Sequence, residues 1–227
     1  MTTLAAQING VIATLILISA FGLLVMRRIN SLIHVFAWQG AFLALSALIM
    51  AYASNRHHLY VSAVLTFAIK VVVLPYIFFT YTKRYNIQKE VEAVVSIPIT
   101  MIIGIALVIF SYHITSPVRE VAAVMTRSTM AVALSTTLIG FLMMITRKKA
   151  ITQIVGLLAM ENGLFFAAVS ATYGMPLVVE LGIAFDILVV AFVFGIVVLH
   201  IRTTFDGIET GKTIEVSELE RHKEEGR

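Results

Sequence analysis

Apolar residues follow one another along this chain in runs of about twenty, broken only by short polar or basic punctuation. A helix needs about 20 such residues to cross a hydrocarbon core of ~30 Å. Seven runs reach that length: Leu4–Met26, Ser31–Ala53, Leu59–Tyr81, Ala93–Tyr112, Met130–Thr146, Ile151–Tyr173 and Leu177–Ile201. A spanning segment must satisfy its backbone groups internally, which a helix does by itself. The pattern therefore predicts an all-α integral membrane protein of about seven transmembrane helices. The first run begins almost at Met1 with no basic residues before it, and no small-residue cleavage site stands out. It is expected to be a retained helix and not a signal peptide. Arg127 blurs the start of the fifth run.

Composition agrees and narrows the function classes. The 227 residues are 59% hydrophobic and 13% charged, too few charges to cover a soluble domain. The chain is basic, but its Lys and Arg residues lie in short clusters between apolar runs. That is the pattern of membrane-flanking loops and not of a nucleic-acid face. With the N-terminus outside, the inner connections receive Arg27 and Arg28, then Lys83, Arg84 and Lys89, then Arg147, Lys148 and Lys149. The outer ones keep only Arg56, Arg119 and Arg127, so the positive-inside rule predicts an external N-terminus and a cytoplasmic C-terminus. The tail after Arg202 is polar. Ser217–Glu220 has capping-box spacing for a short helix, in a solvated tail or a docking strap for a cytosolic partner. The absence of cysteine excludes a thiolate-held cluster or a disulfide in this chain, and there is no glycine-rich nucleotide loop. The chain is not expected to be an enzyme by itself, and any redox centre it serves belongs to a partner.

The halves resemble each other. Ala37–Leu43 can be laid on Ala159–Phe165, and Thr66–Val71 on Gly182–Ile187, each half opening after a basic cluster. The pattern predicts a three-helix unit over residues 1–85, a linker helix over 86–118, a second three-helix unit over 119–202 and a polar tail over 203–227. The extra helix has a topological reason. Three crossings end on the opposite side from their start, so a fourth is needed before a second unit inserts the same way round. This is a parallel duplication.

Charges inside apolar runs carry the candidate chemistry. Lys70, Glu161, Glu180 and Asp186 stand within or at the edge of predicted spans. A charge at mid-membrane costs about 2.5–3.5 kcal/mol on insertion scales, so it persists by pairing, by facing a protein interior or by lining a wet path. Glu161 lies in Met160-Glu161-Asn162-Gly163. A carboxyl group buried there favours its protonated form unless a cation is close, which suits a proton relay. Gly163 admits a neighbouring backbone and Asn162 can bond another helix. Glu180 and Asp186 are six residues apart, about 600° of helix rotation, so they are roughly 120° apart and read as two separate stations. Glu180 also fits a position at the outer interface. Lys70 is a charge partner for a membrane carboxylate in this chain or a neighbouring subunit, or a static pin of helix register. Pro75 cannot donate to the Val71 carbonyl, which predicts a broken helix where water enters. His34, near the inner basic cluster, is a weaker proton-entry candidate. Gln39, as polar support alongside Asn162, and His113 are weaker candidates too.

Two segments, Gln153–Gly163 and Val179–Asp186, together with Lys70 and Val71–Pro75, resemble hydrogenase-4 component E. That family supplies a membrane subunit of formate hydrogenlyase-type, group 4 NiFe-hydrogenases. More distantly, each three-helix unit is similar to the K-type subunit of complex I and its relatives in cation/proton antiporters. The resemblance implies a membrane-arm subunit in a prokaryotic cytoplasmic membrane, beside antiporter-like subunits and a cytosolic hydrogenase arm. The NiFe and iron–sulfur centres would lie in those partners. It also implies Glu161, Asp186 and Lys70 as members of a polar axis moving protons or sodium ions. The first half departs from the pattern, with Gln39 and Lys70 where the K-type subunit has acids. Two rival readings remain, a structural scaffold and a stand-alone small-ion transporter.

Overall fold

The computed structural model describes residues 2–54, 57–84, 91, 93–116, 124–171, 182, 184, 185, 187–189 and 191. These are almost entirely helical: α1 (Thr2–Val25), α2 (Ile29–Ser54), α3 (His57–Phe67), a π turn (Ala68–Val73), α4 (Leu74–Arg84), α5 (Ile97–Ile114), α6 (Val124–Thr146) and α7 (Ala150–Ala171). Among the described residues there is no strand, only an isolated bridge between Ala93 and Arg147. Among the described residues, six helices are long and apolar enough to cross a membrane: Gln7–Val25, Ile29–Ala53, Leu59–Lys83, Ile97–Ile114, Ser128–Thr146 and Ala150–Ser170. The described residues of the seventh run are helical too. The chain divides into two compact parts, Met1–Asp186 and Ile187–Arg227, and α1 to α7 all belong to the first. Glu180, Asp186 and the polar tail lie outside the described residues.

Two sequence expectations need correction. The fourth span begins at Ile97 and not at Ala93. Ser96 is extended (φ −62°, ψ 145°) and Pro98 occupies the first turn, where its missing N–H costs nothing and its ring sets the entry dihedral. Ala93 and Val94 instead lie along the end of α6, with Val94 N–H donating to the Thr146 carbonyl at 2.8 Å. Nor does Pro75 break the third span. The helix widens just before it, the Leu74 N–H donating to the Ile69 carbonyl one residue further back than in an α-helix. One wide turn carries the chain into α4 without a gap.

The packing follows membrane logic. On α5 the small or polar residues Thr100, Gly104 and Ser111 face inward while Ile99, Ile102 and Ile109 are exposed. Lipid is as apolar as isoleucine, so close approach favours small residues at the helix contact. The α6–α7 pair takes this furthest. A Cβ on Gly140 would stand 2.7 Å from Met160 Cα, and one on Gly163 would stand 2.6 Å from the Thr137 nitrogen. Glycine is the side chain these crossings admit. Between the halves, Ile12, Ile16, Leu43, Ala47, Met50, Leu59, Phe165, Phe166 and Val169 form one core.

The basic connections share one face. Arg147, at the end of α6, donates from Nη2 to the Leu24 carbonyl at 2.6 Å and to that of Leu23 at 3.3 Å. Those are the unsatisfied last carbonyls of α1, where a cation is favoured. The Val91 N–H reaches the Arg27 carbonyl at 2.7 Å, bringing the third connection to the same end.

Candidate functional site: a buried charged node between the halves

Lys70 is carried by the π turn and is fully buried. Buried residues recur every four positions along its helix, Ser62, Thr66, Lys70, Leu74, Phe78 and Thr82, with Leu59, Ala63 and Pro75 buried beside them, so this stripe turns the ammonium inward. Gly40 on α2 lets it lie there. A Cβ at Gly40 would meet Lys70 Cβ at 2.9 Å and its carbonyl oxygen at 3.5 Å. With the stem held against bare backbone, Lys70 extends past α2 to α7.

There Nζ is paired with Glu161 Oε2 and donates to Asn162 Oδ1 at 2.6 Å. Asn162 Nδ2 in turn donates to Gln39 Oε1 at 3.1 Å. Phe165, one turn beyond Glu161, lays its ring 5.7 Å from Nζ, a distance at which a ring face attracts a cation. Glu161, Asn162 and Gln39 are 6%, 0% and 0% exposed, so the node is sealed inside the protein. A Cβ at Gly182 would stand 3.5 Å from Glu161 Oε1, so Gly182 lies beside the carboxyl. Of the sequence candidates, Lys70, Glu161, Asn162 and Gln39 are thus brought together.

His34 is not among them. It is exposed near the basic end, its Nδ1 2.7 Å from the Asn30 carbonyl oxygen and its ring 4.9 Å from that of Phe79. Phe79 is nine residues from Lys70, roughly 13 Å of helix, and the buried Phe36–Phe78 edge-to-face pair lies between. His113 is exposed at the end of α5.

Sequence reasoning passed over two features. Arg147 counted only as one more inner cation, yet it is buried and reaches across to α1. Burial pushes its guanidinium below the ordinary arginine value, while arginine stays protonated in proteins. The second feature is a neutral node, where Ser46 Oγ donates to Asn9 Oδ1 at 2.6 Å and Asn9 Nδ2 reaches Ser170 Oγ at 3.5 Å. Partners rise in number together, Gln39 with Asn162 and Ser46 with Ser170, so α2 and α7 run parallel. Among the described residues no group of His, Asp and Glu could hold a metal ion.

This chain pairs a buried cation from the π turn with a buried carboxylate on α7. It is similar to the uncharacterized protein Rv0085 of Mycobacterium tuberculosis, 29% identical over 202 residues that make up 88% of this chain and 92% of that protein. No solved structure matches it. Residues 128–224 match the family model of NADH-ubiquinone/plastoquinone oxidoreductase chain 4L, so the second half of this multi-pass membrane protein is similar to a membrane subunit of the complex I type.

Proposed function

We propose that this protein is a membrane-arm subunit of an energy-conserving, group 4 NiFe-hydrogenase complex. In it, Lys70 and Glu161 contribute to proton or sodium translocation driven by electron transfer in partner subunits. The observation that carries the reading is the buried Lys70–Glu161 pair bridging the two halves. The chain 4L likeness of residues 128–224 supports the coarser part, a non-catalytic membrane subunit of a proton-translocating oxidoreductase. The hydrogenase assignment rests on the resemblance of the Met160–Gly163 and Val179–Asp186 segments to hydrogenase-4 component E. Asp186 and Glu180 are proposed as further stations, and His34 as an entry residue that needs a link past Phe36 and Phe78. Antiporter-like subunits would be the membrane neighbours. The tail would face the cytosolic arm, with the N-terminus outside.

A charge pair is suited to this work because its state depends on a neighbour's charge. One elementary charge crossing 100 mV is worth about 2.3 kcal/mol, a scale on which moving or neutralising one member of a buried pair matters. The test is Glu161→Gln in the native complex, reading hydrogen turnover together with ion movement. Intact hydrogen chemistry with reduced coupling is the expected result. Unchanged coupling in a fully assembled complex would favour the second reading, a scaffold whose polar contacts hold helices in register, a role the neutral Asn9–Ser46 bond already illustrates.

A further inference from the structure

Three polar atoms around Lys70 have no hydrogen-bond partner among the described residues: Gln39 Nε2, Thr66 Oγ1 and Glu161 Oε1. Their side chains belong to residues 0%, 1% and 6% exposed. Each belongs to a residue linked to Lys70 by a bond or by position in the fold. Glu161 holds it through its other oxygen. Gly40, adjacent to Gln39, packs on its stem. Thr66 precedes it by four residues on the same buried stripe.

Thr66 is the informative member. Several other helical hydroxyls in this protein turn back onto their own backbone, although Thr82 and Thr136 share the unpartnered state of Thr66. Ser111 donates to the Leu107 carbonyl, Ser135 to Ala131, Thr137 to Ala133 and Thr146 to Leu142, at 2.7–2.9 Å. That is the local way for a buried hydroxyl to find an acceptor. Thr66 does not take it. The three atoms are also chemically complementary, since the amide nitrogen donates, the carboxylate oxygen accepts and the hydroxyl does both. Beside Oε1 the seventh run presents Gly182, which has no side chain to offer.

We infer that the Lys70 node is a water-binding site, with ordered water held by Gln39 Nε2, Thr66 Oγ1 and Glu161 Oε1. Water both donates and accepts and is small enough for a closed interior, and buried water characteristically takes two to four polar partners. A phosphate or carboxylate would bring a second negative charge against Glu161. The consequence for coupling rests on the proposed role of Glu161. Bound water links the carboxyl of the second half to an amide and a hydroxyl of the first, through the oxygen that Lys70 does not hold. Glu161 then has a hydrogen-bonded neighbour that does not require the ion pair to part.

The test is a density map of the full chain in its native complex, at a resolution that shows water, for the natural protein, Thr66→Val and Thr66→Ser. A peak within hydrogen-bond distance of at least two of the three atoms is expected in the natural protein, lost in Thr66→Val and kept in Thr66→Ser. The inference is overturned if the three atoms prove to be bonded to protein groups, or dry, or if the peak is indifferent to Thr66→Val. Should Thr66→Val fail to assemble, the map of the natural protein still decides. This readout is density and not ion movement, so its failure is separate from that of Glu161→Gln.

Discussion

Two polar nodes tie the first-half helices to α7, and they use different chemistry. Asn9, Ser46 and Ser170 make a neutral one. Lys70, Glu161, Asn162 and Gln39 make a charged one, eight residues earlier on α7, about 12 Å along the helix. Interhelical hydrogen bonds in membranes average about 0.6 kcal/mol, and Asn and Ser supply them at little insertion cost. Each charge at mid-membrane costs about 2.5–3.5 kcal/mol before any partner offsets it. If the need were only to hold helices together, the neutral node shows a cheaper way. The charged node therefore points to a demand beyond adhesion, which is why the proposed function rests on it.

The comparison breaks most directly at Lys70. Lys70→Met leaves Glu161 buried without its cation, and removing one member of a buried pair costs about 3–5 kcal/mol. Thermal stability and yield of assembled complex should fall sharply. Lys70→Met combined with Glu161→Met should recover most of the loss, because apolar replacement of a whole buried pair is often neutral or stabilising. A single substitution as mild as one at Asn9 would mean the pair is not held as tightly as its burial indicates.

Gly40→Ala comes next. The added methyl would stand 2.9 Å from Lys70 Cβ, and overpacking of this kind costs about 1–3 kcal/mol. It strains the charged node while leaving the neutral one untouched. The expected signature is a stability loss that persists in a Lys70→Met background, because methionine keeps the Cβ and carbonyl that the methyl meets, measured as a double-mutant cycle. A loss that vanished in the Lys70→Met background would place the strain at the ammonium end of the side chain and not at its Cβ.

These nodes were unequally visible in the sequence. Lys70 and Glu161 announce themselves, because a charge in an apolar run is costly wherever it falls. Their partnership did not, since 91 residues separate them. The internal repeat set Lys70 opposite Asp186 and Glu161 opposite Gln39, which is equivalence between units and says nothing of contact across them. Asn9, Ser46 and Ser170 carry no charge and look like ordinary polar residues of a membrane helix. Arg147 was legible as a cation but not as a clamp, because only the fold brings the end of α1 within its reach. Span lengths were legible from hydropathy alone. Their ends were less so where one residue decided the matter, as Pro98 does for α5. Pro75 signalled a disturbed third span, but hydrogen bonding and not sequence decides between a break and a wide turn.

Asn9→Leu should remove the neutral node's centre. Ser46 would lose its 2.6 Å acceptor, and the cost of a lost neutral hydrogen bond is about 0.5–1.5 kcal/mol. Hydrogen–ion coupling should be unchanged once the complex assembles, in contrast to Glu161→Gln. A coupling defect in assembled Asn9→Leu would erase the functional distinction between the nodes.

The smallest effect separates the two contacts of Asn9. Its bond from Ser46 is short, whereas its reach to Ser170 is 3.5 Å, at the outer limit for a hydrogen bond. Ser46→Ala should therefore cost up to about 1 kcal/mol and Ser170→Ala only a few tenths, read as shifts in thermal midpoint of the purified protein. Both hydroxyl groups are small and both residues are buried, so the cavity terms are alike and the difference isolates the bond. Ser46 lies on α2 and Ser170 on α7, so this order means that the neutral node binds α1 to α2 firmly and touches α7 weakly. The polar link from α2 to α7 would then fall to Gln39 and Asn162, beside the ion pair. The reverse order, with Ser170 dearer than Ser46, would show α7 anchored without the charges and would weaken the claim that the charged node joins the halves.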